Sequence, residues 1–302
     1  MILRRLWDHD LAWSLRGSPV TIVALVLTVL CIGGAAFSPW IAPQDPFDPA
    51  ALDLNDAFKP PAWDEGGDRR YLLGTDDQGR DVLSTILHGA RISLGVGIAA
   101  VAFALVLGTA LGLLAGYAGG RIDAFIMRVA DVQLSFPAIL IALLIDGVAR
   151  VALPGSQHDR IAIPVLVLAI GFAGWVQYAR TVRGSTMVEM AKEYVQAARV
   201  IGRRPGAIML SHVLPNVMSP VLVIATIHVA TAIITEATLS FLGVGVPPTQ
   251  PSLGTLIRVG NDFLFSGEWW ITVFPGAALV TLVLSVNLLG DWLRDALNPR
   301  LR

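Results

Sequence analysis

Six stretches of predominantly apolar residues divide this 302-residue chain, at residues 20–41, 92–114, 124–145, 161–178, 213–234 and 271–289. Each approaches the roughly 20 residues that a helix needs to cross a ~30 Å hydrocarbon core. In lipid no water is available to bond an open backbone, and a helix satisfies its N–H and C=O groups within one segment. Each stretch is therefore predicted to be a membrane-spanning helix. The first follows Arg4, Arg5 and Arg16, as a signal peptide would. Its apolar run exceeds the ~7–15 residues of a signal core, so it is read as an uncleaved span.

The polar intervals between these runs differ in kind. Residues 43–70 set Pro43, Pro46, Pro49, Pro60 and Pro61 among acids and read as an irregular external loop. The following segment, residues 73–84, is rich in turn formers, and Thr75 or Asp76 is expected to cap a short helix starting near Gln78. It reads as a loop packed on the bundle or as a docking surface for a delivery protein. Residues 237–270 carry Pro247, Pro248 and Pro251 with several glycines and are too broken to span. Such backbone at membrane depth must be buried in protein or line a water-filled cavity. Trp269 and Trp270 suit an interfacial aromatic belt. In the second span Gly108, Gly112, Gly116 and Gly120 recur every fourth residue, a spacing that lets two helices approach closely.

Composition agrees with a lipid environment: 54% of residues are hydrophobic and 15% charged, against about 25% charged in soluble domains. The net charge of −1 gives no support for nucleic-acid binding. Cys31, the one cysteine, excludes an intrachain disulfide and reads as a small packing residue. The arginines orient the spans. Arg4, Arg5, Arg16, Arg121, Arg128, Arg180, Arg183, Arg199, Arg203, Arg204, Arg294, Arg300 and Arg302, with Lys192, fall on one side. The positive-inside rule makes that side cytoplasmic. Segment 43–91 also holds bases but more acids, and long segments cross largely regardless of charge. The expected organisation is a cytoplasmic tail (1–19), a first span (20–41), an external loop (42–91), a core of five spans (92–290) and a cytoplasmic tail (291–302).

Candidate chemistry inside the spans is sparse. His228 and Glu236 are candidates for the lining of a passage, because ionisable groups at membrane depth normally face the bundle interior. Asp131, Gln133, Asp146 and Asn287 lie mostly near span ends, where interhelical hydrogen bonds account for them. A phosphate-cradling Gly-x-x-x-x-Gly-Lys-Ser/Thr loop is missing, and neither lysine, Lys59 or Lys192, follows a suitable glycine. No metal-binding or catalytic motif stands out, so neither a metal site nor a catalytic residue is assigned.

The segment 190–211 is different again. It is polar, Arg-bearing and helical in pattern, yet lies between two long spans, where a short charged turn would suffice for insertion. That suggests a docking element for a cytoplasmic partner. Its Glu193, Ala197, Ala198, Gly202, Leu214 and Pro215 resemble the coupling motif of ATP-binding cassette (ABC) importer permeases, although the family pattern has Ile where this chain has His212. Further segments, at residues 60–67, 73–91, 234–243 and 287–300, are similar to the peptide and nickel branch of these permeases. Among them the second dipeptide permease subunit is the nearest likeness.

The resemblance implies an all-α polytopic membrane protein with six transmembrane helices and the type I importer permease fold, in a bacterial plasma membrane. It implies a second permease subunit, two cytoplasmic ATPase subunits that hold ATP and Mg, and an external substrate-binding protein. The ATPase-coupling residues would be Glu193, Ala197, Ala198, Arg199, Gly202 and Arg203. Ala197 and Ala198 would keep one face small enough to enter a cleft, and Gly202 would end the helix. Short peptides are the implied cargo, with oligopeptides, glutathione or nickel as alternatives. A secondary transporter, the alternative of a different class, would be expected to show buried charge pairs or internal repeats, and neither is clear.

Overall fold

Apolar runs bounded by Asp, Gly and Pro become helices whose ends those residues set. The structure, a computed structural model, describes residues 18–48, 52–152, 158–247 and 249–296. Arg4, Arg5, Arg16, Pro49, Pro248, Arg300 and Arg302, with the rest of residues 1–17 and 297–302, lie outside the described residues. In chain order the main helices are α1 (Pro19–Ala36), α2 (Val82–Ala118), α3 (Gly120–Leu134), α4 (Ala138–Ala152) and α5 (His158–Met190). They continue with α6 (Glu193–Val200), α7 (Leu214–Phe241), α8 (Leu253–Asn261) and α9 (Trp270–Ala296). Among the described residues five helical stretches are long and apolar enough to span, and α3 with α4 makes a sixth when the bent pair is counted as one span.

Two expected boundaries move. The loop after the first span ends at Asp81, not at residue 91, and Asp81 rather than Thr75 or Asp76 is the cap, accepting from the Ser84 N–H. The helix it starts is the second span itself, 37 residues long. At 1.5 Å per residue that is about 55 Å, so α2 overshoots a ~30 Å hydrocarbon core. The third span is the other correction. The run at 124–145 is broken at Ser135, Phe136 and Pro137, where the chain bends by 94°. Pro137 has no N–H for the helix ladder and disfavours helical backbone at Phe136. Hydropathy is blind to that.

The bundle is organised on α2 and α5, which share the most extensive helix interface. Gly108, Gly112 and Gly116 make it possible: a Cβ there would lie 2.5 Å from Trp175 O, 2.5 Å from Ala179 O and 2.7 Å from Thr186 Cβ respectively. Gly120 is not part of this stripe; with Gly119 it has positive φ and forms the turn into α3. Polar side chains then fasten α3 to α5. Trp175 Nε1 donates to Gln133 Oε1 at 2.6 Å and Gln133 Nε2 to Phe172 O at 2.7 Å. Arg180 pairs with Asp131 at 2.5 Å, and Arg183 grips Asp123 through both Nε and Nη2. These are the interhelical bonds expected of the span-end polar residues.

The broken segment after α7 is buried only in part: Gly245, Val246, residues 251–256 and Gly260 are enclosed, whereas Leu242, Gly243, Arg258 and Phe265 are exposed. Its helix α8 packs so tightly on α7 that a Cβ on Gly254 would sit 2.3 Å from Ala237 O. Trp270 is not a belt residue: it is 7% exposed, and its Nε1 donates to Thr75 O at 3.0 Å, tying α9 to the loop before α2. That loop is fixed by its own charges. The Lys59 ammonium, then the Tyr71 hydroxyl, hold Asp56 below the usual carboxylate range, and Arg70 does the same for Asp68.

Candidate coupling helix and passage lining

α6 is short, and two of its residues hold it. Val195 (0% exposed) and Ala198 (6%) lie three apart, on one helix face, and join the core formed by Tyr178, Val182, Ile208, Val213 and Val217. The other face is exposed. Glu193, Ala197, Arg199, Val200, Ile201, Arg203 and Arg204 are all exposed, Val200 at 89% and Ile201 at 80%. The expectation that Ala197 and Ala198 share a small outer face is therefore corrected. Adjacent helical residues are 100° apart, so only Ala197 can face a partner. Val200 and Ile201, overlooked in the sequence because single apolar residues next to a span attract no notice, are the large exposed apolar groups instead.

The helix ends in a closed turn. Gly202 has φ +80. Its N–H donates to Arg199 O at 2.9 Å, and the Arg203 N–H reaches back to Ala198 O at 3.1 Å. Those two bonds define a Schellman cap, which needs the left-handed residue that glycine supplies without strain. A ring of side chains braces the start. Lys192 Nζ pairs with Glu189 at 2.7 Å, and Tyr194 Oη donates to Glu189 Oε2 at 3.0 Å. Asn216 Nδ2 donates to Tyr194 Oη at 3.1 Å, and the Tyr194 ring stacks on His212 with centroids 6.4 Å apart. The bond to Glu189 raises Lys192 above its ordinary value; burial, then Glu189, raises Tyr194. Arg199 lies over the Tyr117 ring at 5.4 Å, fixing α6 to the end of α2. His212, the departure from the family pattern, thus has a partner of its own.

The two passage candidates separate. His228 lines a cavity of about 120 Å³ between α2, α4, α5 and α7, with Gln177, Thr231 and Thr235. Its Nε2–H donates to Gln177 Oε1 at 2.6 Å, and its ring meets Tyr178 edge-on at 5.0 Å. Glu236 does not line this cavity. It is 0% exposed, accepts from Ser240 Oγ at 2.7 Å, and has Ser252 and Ser93 against it beneath the start of α8. The signal was present in the sequence: 228, 231 and 235 form one polar stripe at helical spacing, and residue 236 falls 100° off it. No group of metal-ligating side chains occurs among the described residues.

Residues 108–302 match the family described as "Binding-protein-dependent transport system inner membrane component". Over 287 residues the chain is 39% identical to the di/tripeptide transport system permease protein DppC of Pseudomonas aeruginosa, covering 95% of this chain and 89% of that one. It is 42% identical over 282 residues to the dipeptide transport system permease protein DppC of Escherichia coli K12, covering 93% and 89%. Among solved structures, inward-facing forms of the MetNI methionine ABC transporter align with a TM-score of 0.54 at 21% identity, over 71% of this chain and 96% of that one. That likeness establishes the fold.

Proposed function

The chain belongs to the family of binding-protein-dependent transport system inner membrane components, and from that premise we propose that it imports short peptides, dipeptides first among them, with the energy of ATP hydrolysed in separate subunits. It is the membrane component of an ABC importer and carries no ATPase of its own; a secondary transporter is excluded with that membership. The observation that carries the mechanism is α6: a helix held by one buried face, braced at its start, closed by Gly202, and offering an exposed apolar and basic face between two spans. A rigid element of this kind transmits a rigid-body shift from an ATPase to the helices around a passage. Its partners on this reading are a second permease subunit, two cytoplasmic ATPases holding ATP and Mg, and an external binding protein. The peptide substrate is supported by the dipeptide and di/tripeptide permeases that match nearly the whole chain.

Reconstituted with its partners in vesicles, the chain should support dipeptide uptake that needs both ATP and the loaded binding protein. Alone it should hydrolyse no ATP above background. Uptake of nickel, glutathione or longer peptides with no dipeptide uptake would transfer the assignment to that cargo.

The arginine distribution supports an orientation with both termini and residues 183–211 cytoplasmic and residues 43–81 outside. In a Cys31→Ala background, a cysteine at position 64 should react with an impermeant reagent in intact cells. Reaction only after the cells are opened would invert the topology.

A further inference from the structure

A second cavity stands directly beyond the first along the same helices. The inner cavity touches Ala138 of α4 and Ile170 and Gly174 of α5. The outer one, of about 130 Å³, touches Asp146 and Arg150 of α4 and Ile161 and Val165 of α5. Ile161 and Ile170 are nine residues apart, which is about 13 Å along a helix. On α7 the step runs from Thr235 to Gly243, just past the helix end. The two cavities therefore lie at successive levels along α4, α5 and α7 and differ in chemistry. The inner is neutral and offers hydroxyls, an amide and an imidazole; the outer is charged.

The outer compartment contains one carboxylate and two guanidiniums, Asp146, Arg150 and Arg258, and so is net cationic. Asp146 is 4% exposed, and its carboxylate takes Arg150 Nε at 2.6 Å, so those two charges answer each other. Arg258, on α8, is exposed and forms no hydrogen bond or ion pair among the described residues. The wall beneath it is shaped for its guanidinium. Gly243 has φ +81, and a Cβ there would lie 2.8 Å from Arg258 Nη1. An unanswered guanidinium at the mouth of a passage, with its fork of donors, is suited to a carboxylate.

We propose that the outer compartment is a reception subsite for the carboxylate terminus of the incoming peptide, with Arg258 as the residue that takes it. The inference rests on the peptide-importer reading and its orientation, which make this compartment the first of the two met from outside. Asp146 acts as a positioning residue, holding Arg150 so that Arg258 is the one cation left to the ligand. The neutral inner compartment then takes the peptide on without a second tight charge contact, a condition for passage rather than trapping.

The test uses the whole reconstituted complex with dialanine as cargo and compares wild type, Arg258→Gln and Arg258→Lys. Arg258 is exposed, so assembly with the partners should be unchanged, and this is checked first. Peptides imported per ATP hydrolysed should fall about tenfold in Arg258→Gln, the scale of a lost charge-assisted hydrogen bond, and recover in part in Arg258→Lys. The binding-protein concentration that half-maximally stimulates hydrolysis should not move. A wild-type ratio in Arg258→Gln would overturn the subsite. So would a shifted half-maximal concentration with an unchanged ratio, which would assign Arg258 to docking the binding protein. A wild-type complex that imports no dialanine would instead overturn the peptide reading on which the subsite rests.

Discussion

Replacing Gly112 with valine should prevent the bundle from forming. A Cβ at this position would lie 2.5 Å from Ala179 O and 2.8 Å from Val182 Cβ. The first obstacle is main chain within a helix and cannot rotate away. Inserting methylenes into a packed core costs about 1–3 kcal/mol where side chains can yield, and here α2 and α5 would have to separate along their common length. In lipid no hydrophobic effect draws the two helices back together, because packing itself is the driving force. Gly95→Ala is the control. The same helix carries Gly95 with nothing within 4 Å of its Cβ position, and alanine favours helix over glycine by about 1 kcal/mol. Membrane levels at matched expression, and the unfolding temperature of the purified complex, should drop sharply for Gly112→Val and hold or rise for Gly95→Ala. Equal behaviour of the two variants would mean that the α2–α5 contact does not carry the fold.

Gly202→Val should leave the chain inserted but break its coupling to ATP hydrolysis. The left-handed backbone at Gly202, φ +80, closes the Schellman cap of α6, and no atom lies within 4 Å of a Cβ built there. The cost is therefore backbone strain, about 1–3 kcal/mol for a β-branched residue held in that region, and no packing in this chain opposes the substitution. The turn can relieve the strain by opening, which would swing Val200 and Ile201 out of register with their partner. Gly202→Asn should retain most coupling, since asparagine enters the left-handed region readily. Glu193→Ala should be mild, because an exposed charge at a helix N-terminus contributes only ~0.3–1 kcal/mol. The measurement is capture of the ATPases together with vesicle transport, at matched expression. Transport at the wild-type level in Gly202→Val would remove α6 from the coupling pathway.

Much of this architecture was legible in the residues alone. Span number follows from hydropathy because lipid imposes one rule on every exposed backbone group. The close α2–α5 approach follows from glycines at every fourth position, which mark a helix face with no side chains in the way. The end of α6 was readable at Gly202, since a glycine after a polar helical run has few other uses there. These are local or periodic constraints, and a linear string records them in full.

What the string did not contain was direction in space. Ala197 and Ala198 are the same residue type at adjacent positions, yet one is buried against Val195 and Ile208 while the other is exposed. His228 and Glu236 are both ionisable groups in one apolar helix, yet one lines a cavity and the other is sealed under α8 by serines from two other segments. Arg258 had no special mark in the sequence; only the packing of α8 on α9, α7 and α2 brings it to a compartment that α4 and α5 also line. Periodicity determines which residues share a face of their own helix. Which neighbour that face meets depends on contacts between residues far apart in the chain, and those exist only once the helices have packed.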